Sequence, residues 1–222
     1  MSIDDYAGGA ASLLHRNRDD DFPDWAGRDL ATTGLGVQVL ARDGATTADV
    51  LQRQLPQVTQ APALVTVTMG GNDLLGAYGD SHAARAAISR MSAIGSAILL
   101  RLSRLCGDGG RVVVTTVYDP SDGTGEVAAS GLPPWRDGPA LVEELNAALV
   151  DLAQRHGALV ADVHGHFLGH GVHAGDPTAP DSRPANRDLW YCGLIEPNAW
   201  GAHHIRAAWW QAINDSEWRP PR

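Results

Sequence analysis

"ALVTVTMGGNDLL", residues 63–75, is the stretch on which the reading of the whole chain turns. It runs apolar and β-branched for six positions, as a buried strand does, and then stops on Gly70-Gly71-Asn72-Asp73. The two glycines give up the side chains a strand packs with, and an amide and a carboxylate follow at once. Locally this reads as a tight turn with Asn72 capping the next segment. It also reads as a donor site, because a glycine N–H and an asparagine amide are neutral donors. Aimed at one point, they stabilise an oxygen that turns negative in a transition state, each worth ~3 kcal/mol of barrier.

Outward from this stretch, apolar strands alternate with helical periodicity. "VQVLARDG" (37–44) predicts a short strand ending in a glycine turn, and "TTADVLQRQLPQV" (46–58) a helix capped by Thr46 or Thr47 and ended by Pro56. Residues 82–105 predict a long helix capped by Asp80 or Ser81, with Ile88, Met91, Ile98, Leu99 and Leu102 in its apolar stripe. "GRVVVTTVYD" (110–119) and "ALVADVHG" (158–165) predict further strands. Pro139 to His156 predicts a helix between them, residues 166–196 read as irregular, and a last helix is expected from about Pro197 to Ile213. The alternation implies a parallel sheet covered by helices on both faces, a three-layer α/β/α architecture. Ligands of such sheets bind beyond the carboxyl ends of the strands. Three strand ends carry unusual chemistry: Gly44, then Gly70 to Asp73, then the histidine-rich "DVHGHFLGHGVH" (162–173).

The 222 residues suit one domain spanning 1–222, and 44% hydrophobic content supplies a core. A net charge of -9 argues against nucleic acid or an anionic membrane as partner. The Asp19-Asp20-Asp21 run reads as a solvated loop rather than a metal site. Cys106 and Cys192 form neither a disulfide framework nor a metal-ligand pair, so no cofactor is expected and a reduced, cytoplasmic setting is. No apolar run approaches the ~20 residues that span a bilayer, and the N-terminus lacks the pattern of a signal peptide. Seven tryptophans are many for this length; most are expected in the core, with one or two lining a pocket.

"MGGNDLL" together with "RDGATTADVL" resembles the SGNH, or GDSL, hydrolase superfamily, whose fold is flavodoxin-like and whose sequences carry four marker blocks. The second block, a glycine turn, is matched by Gly44-Ala45-Thr46-Thr47. The third, Gly-X-Asn-Asp, is matched by Gly70, Gly71, Asn72 and Asp73. The resemblance implies that the Gly44 amide and the Asn72 side chain are oxyanion-hole donors and that a small-molecule ester is the substrate.

Two blocks depart from the pattern. The first should be Gly-Asp-Ser-Leu after a central first strand, with its serine as nucleophile. Here the chain opens Met1-Ser2-Ile3, which fits the positions just after that serine. The resemblance therefore implies a chain that starts inside the block and lacks a strand and a nucleophile, roughly 6–12 residues. Ser2 is the only substitute at hand, and a sheet without its central strand is expected to be unstable. The fourth block should be Asp-X-X-His followed by Pro-Asn and a glycine. Pro197, Asn198 and Gly201 match, but Gly193 replaces the aspartate and Glu196 the histidine. The general base is then Glu196, with a pKa raised by burial, or a histidine from elsewhere. His170, between Gly169 and Gly171, is favoured over His164, His166 and His173; His203 and His204 read as structural.

Three function classes follow. The first is a serine esterase of the SGNH type. The second is a metal hydrolase using His164 and His166, for which a barrel of ~250 residues would be required and too few residues remain. The third is a non-catalytic binding protein for a small molecule or carbohydrate. Oligomeric state is left open by the sequence.

Overall fold

Three short parallel strands, β1 (Leu64–Val67), β2 (Arg111–Thr115) and β3 (Leu159–Ala161), lie side by side in chain order. They belong to a computed structural model that describes residues 9–127, 131–172, 174, 189–192 and 195–219. Val65 pairs with Val112 and Val114 with Val160, so the carboxyl ends of all three strands point the same way. Side chains of β2 alternate between two cores. Val112 and Val114 pack with Met91, Leu99, Leu145 and Leu149, from α4 (Ser81–Cys106) and α5 (Gly138–Arg155). Val113 packs with Leu13, Ile205 and Trp209, from α1 (Gly9–His15) and α7 (Ala199–Asp215). The result is the expected parallel sheet between two helical layers.

Local chemistry sets the helix limits. Asp80 caps α4 by accepting from the His82 and Ala83 amides, and Asn198 caps α7 by accepting from the Trp200 and Gly201 amides. Thr46, rather than Thr47, caps the helical run 47–57 in a reciprocal capping box with Asp49. That run begins as α2 (Thr47–Asp49), widens into a π turn (Val50–Gln54) and tightens at Leu55–Gln57, where Pro56 ends it.

Several expectations are corrected. Residues 37–42 are not a strand. Val37 is 51% exposed and Val39 37%. β1 is an edge of the three-stranded sheet and pairs with β2 alone, so residues 37–42 form no ladder with its open side. The strand expected at 158–165 ends at Ala161, because the Asp162 carboxylate accepts from the Gly165 amide and starts the short helix α6 (Val163–Phe167). The irregular stretch holds a two-residue antiparallel pair, β4 (Tyr191–Cys192) with β5 (Glu196–Pro197). α1 had no counterpart in the sequence reading. By length and composition alone α4 is apolar enough to cross a membrane, against the expectation that nothing here would be. In the fold its stripe of Met91, Ile98, Leu99 and Leu102 faces α5 and the sheet.

Candidate active site

The two matched blocks meet at the carboxyl end of β1. Gly70, at φ +93°, turns the chain sharply out of the strand into α3 (Gly71–Leu75). A Cβ there would lie 2.9 Å from Leu145 Cδ1, so both backbone and space require glycine. The turn directs two side chains at the 44–47 segment. The Asp73 carboxylate accepts from the Thr47 amide at 2.8 Å and from the Thr47 hydroxyl at 2.9 Å, both at the same oxygen. The Asn72 amide donates to the Ala45 carbonyl at 2.9 Å. A primary amide has two N–H groups, and this bond uses one of them. Gly44 has φ +72° and open space where a Cβ would be. The third block is thus more than a turn: its aspartate clamps the second block, and its asparagine reaches the residue next to Gly44.

Glu196 is half-buried in β5. Burial lifts its pKa above the ordinary glutamate range, and the Asp43 carboxylate adds to the rise. The Glu196 charge in turn helps burial to raise the Tyr118 phenol, just past β2. Glu196 is held in place by its antiparallel pairing with Cys192. Asn198 braces the region by donating through Nδ2 to the Leu189 carbonyl and through its backbone amide to the Trp190 carbonyl.

His170 lies flat on Trp190, ring centroids 3.5 Å apart and planes 6° off parallel. His204 covers the other face of Trp190 at 3.6 Å. Its pKa is pushed down to about 3 by burial first and then by the neighbouring His203, His170 and His166, so it is neutral at physiological pH. The glycines beside His170 donate their amides to the two oxygens of the buried Asp122 carboxylate, Gly169 at 3.0 Å and Gly171 at 2.8 Å. They anchor the loop that carries the imidazole. Neither Asp122 nor Trp190 was singled out by the sequence reading. The only hint was "DPSDG" (119–123), a run of turn formers after a strand.

The other histidines separate. His164 is tied to the end of β2, its amide on Thr116 Oγ1 and its Nδ1 on the Val117 carbonyl. Among the described residues no group of three His, Cys, Asp or Glu stands ready to hold a metal ion. Ser2, His173 and Gly193 lie outside the described residues. The structure therefore joins the two blocks at the end of β1 through Asn72 with Ala45 and Asp73 with Thr47, while Glu196 stands in the separate β4–β5 pair. His170 stands on its aromatic stack with Trp190.

A family model for the GDSL-like lipase/acylhydrolase family matches residues 4–203. No curated relative matches the chain. Among solved structures, the chain resembles LAE5, an alpha/beta hydrolase enzyme from the metagenome of Lake Arreo, Spain. That match has 20% identity and a TM-score of 0.63, covering 94% of this chain and 82% of the other. It resembles the acetyl xylan esterase AlAXEase at 16% identity and a TM-score of 0.65, over 93% and 91% of the two chains. Axe2, an acetylxylan esterase from Geobacillus stearothermophilus, matches at 17% identity and a TM-score of 0.53, over 77% and 68%. At these identities the likeness is one of fold.

Proposed function

Because the chain belongs to the GDSL-like lipase/acylhydrolase family, and is by that membership an ester-bond hydrolase, we propose that it cleaves small carboxylic esters with Gly44 and Asn72 as oxyanion donors and Glu196 as general base. The observation that carries the reading is the Asn72 amide reaching the residue next to Gly44. A serine attacks the ester carbonyl. The carbonyl oxygen gains charge and is held by the Gly44 N–H and the remaining Asn72 N–H. Glu196, with its raised pKa, takes the serine proton and returns it to the leaving alcohol; the same group then activates water to release the acid. His170 is the second choice of base; its stack on Trp190 fixes the ring and leaves proton transfer to the nitrogens in the ring plane.

The nucleophile belongs ahead of α1, with Ser2 or a serine before Met1 as the two choices. Two of the similar structures are acetyl xylan esterases, so acetylated sugars are the first substrates to try beside a short-chain aryl ester. The test compares the chain as given, its Ser2→Ala variant, and a form in which a strand ending Gly-Asp-Ser precedes Met1. In whichever form cleaves ester, Asn72→Ala should lower kcat by about 10²–10³-fold. An unchanged rate would overturn the assignment. No ester cleavage by any form would favour the non-catalytic binding protein, which the departures at Gly193 and Glu196 support.

A further inference from the structure

A second feature lies on the flank of α7. The loop after α1 folds Phe22, Pro23 and Trp25 against Trp200 and His203, leaving a cavity of about 310 Å³ with Asp21 and Asp24 on its lining. We propose that this cavity is a binding pocket for one neutral, hydroxylated sugar ring, a pyranose, which seats the carbohydrate part of the ester substrate. The choice of a sugar ester rests on the function proposed above; the pocket itself does not.

The walls are aromatic and fixed against each other. Phe22 stacks on His203 with centroids 4.5 Å apart. Trp200 meets Phe22 edge-on at 5.6 Å, and Trp25 meets His203 edge-on at 5.1 Å. Aromatic walls suit the C–H face of a sugar, and the volume is at the small end of ligand pockets, ~300–1,000 Å³, enough for one ring rather than a chain. The polar groups are of both kinds. Arg206 Nη2 meets His203 Nδ1, and a guanidinium can only donate, so Nδ1 is the acceptor and the imidazole proton sits on Nε2. His203 is therefore a neutral ring with one donor edge, in keeping with a pKa held down to about 4 by burial and then by Arg206. Asp24 supplies an acceptor for hydroxyl groups, and so does Asp21, whose Oδ2 is ion-paired with Arg18 at 2.8 Å.

Charge decides among ligands. The two carboxylates disfavour an anion. An alkylammonium would suit an aromatic box with an acidic rim, but a cation is already built in behind this one. The fully buried Arg206 guanidinium lies 4.1 Å from the Trp25 centroid and 5.5 Å from that of Phe22. It repels a second cation at the same rings. A neutral ring with donors and acceptors meets neither penalty. Trp200 follows Glu196 by four residues, so the pocket lies within ~14 Å of chain from the candidate base.

The experiment needs no ester chemistry. Methyl β-D-xylopyranoside, methyl β-D-glucopyranoside and tetramethylammonium chloride are titrated separately into the protein, with tryptophan fluorescence and calorimetry as readouts. Saturable binding of at least one pyranoside is expected, weakened 5-fold or more by Trp200→Ala, less by Trp200→Phe, and several-fold by Asp24→Asn. Near-ultraviolet circular dichroism confirms that each variant keeps its fold. Three results would overturn the pocket: no saturable pyranoside binding, pyranoside binding indifferent to both Trp200→Ala and Asp24→Asn, or tetramethylammonium binding more tightly than either sugar. An ester-cleaving protein that binds no pyranoside refutes the pocket and leaves the esterase intact. A pyranoside-binding protein that cleaves no ester does the reverse.

Discussion

Replacing Asp73 tests the clamp between the two blocks. Thr47 is completely buried, and its amide and hydroxyl both donate to one oxygen of the Asp73 carboxylate. Asp73→Ala leaves two buried donors without their acceptor, at about 1–3 kcal/mol each. The expected loss is roughly 3–4 kcal/mol, a large share of the ~5–15 kcal/mol a domain has in total. For a chain of this size that corresponds to a fall in Tm of roughly 6–15 °C. Asp73→Asn behaves differently, because both bonds converge on a single oxygen that the asparagine amide can also supply. It gives up only the charge of the acceptor, about 1 kcal/mol. Urea melts of wild type and both variants, with unchanged slopes, measure the difference. If Asp73→Asn proves as harmful as Asp73→Ala, the single-oxygen geometry is wrong. If Asp73→Ala costs less than about 0.5 kcal/mol, water replaces the carboxylate and the clamp does not hold the Gly44 turn.

Gly70→Ala should destabilise by roughly 2–4 kcal/mol, from left-handed backbone strain and overpacking against Leu145; a melt within 0.5 kcal/mol of wild type would contradict it. His203 has a folded pKa of about 4 against 6.5 unfolded, so the unfolded state binds more protons between those values. Stability is then full above pH 6.5 and declines as pH falls towards 4. Between pH 7.5 and 5 the loss from His203 should be roughly 2 kcal/mol, with a similar loss from His204, whose folded pKa is about 3, and His203→Gln should about halve the dependence; equal urea midpoints at both pH values for wild type would refute the buried neutral rings. If Glu196 is the base, kcat/KM rises with pH through a limb above the ordinary glutamate range. Asp43→Asn, which removes a charge that raises the Glu196 pKa, should move that limb to lower pH, and Glu196→Gln should abolish it along with most of the rate. A limb unmoved by Asp43→Asn and retained in Glu196→Gln would shift the assignment to His170, whose own Ala variant is then the decisive measurement.

Sequence periodicity alone was enough for the elements whose signals are local. The stripe of α4, its Asp80 cap, and the break at Gly70-Gly71 each depend on residues within a few positions of one another, so they were legible. The two short blocks were legible as well, and the fold joins them through Asn72 on Ala45 and Asp73 on Thr47. The segment 37–42 misled because an apolar pattern marks a strand only if the chain runs alongside a partner, and this segment does not pair with the open side of β1. The rest of the candidate site was decided by packing. The imidazoles on both faces of Trp190, and Arg206 reaching back to Leu13 and Asn17, 193 and 189 positions earlier, follow from how α7 and the loop before it settle over the sheet. Such contacts between distant residues obey no period along the chain; burial and the need to satisfy buried polar groups select them, and those act only once the layers have closed.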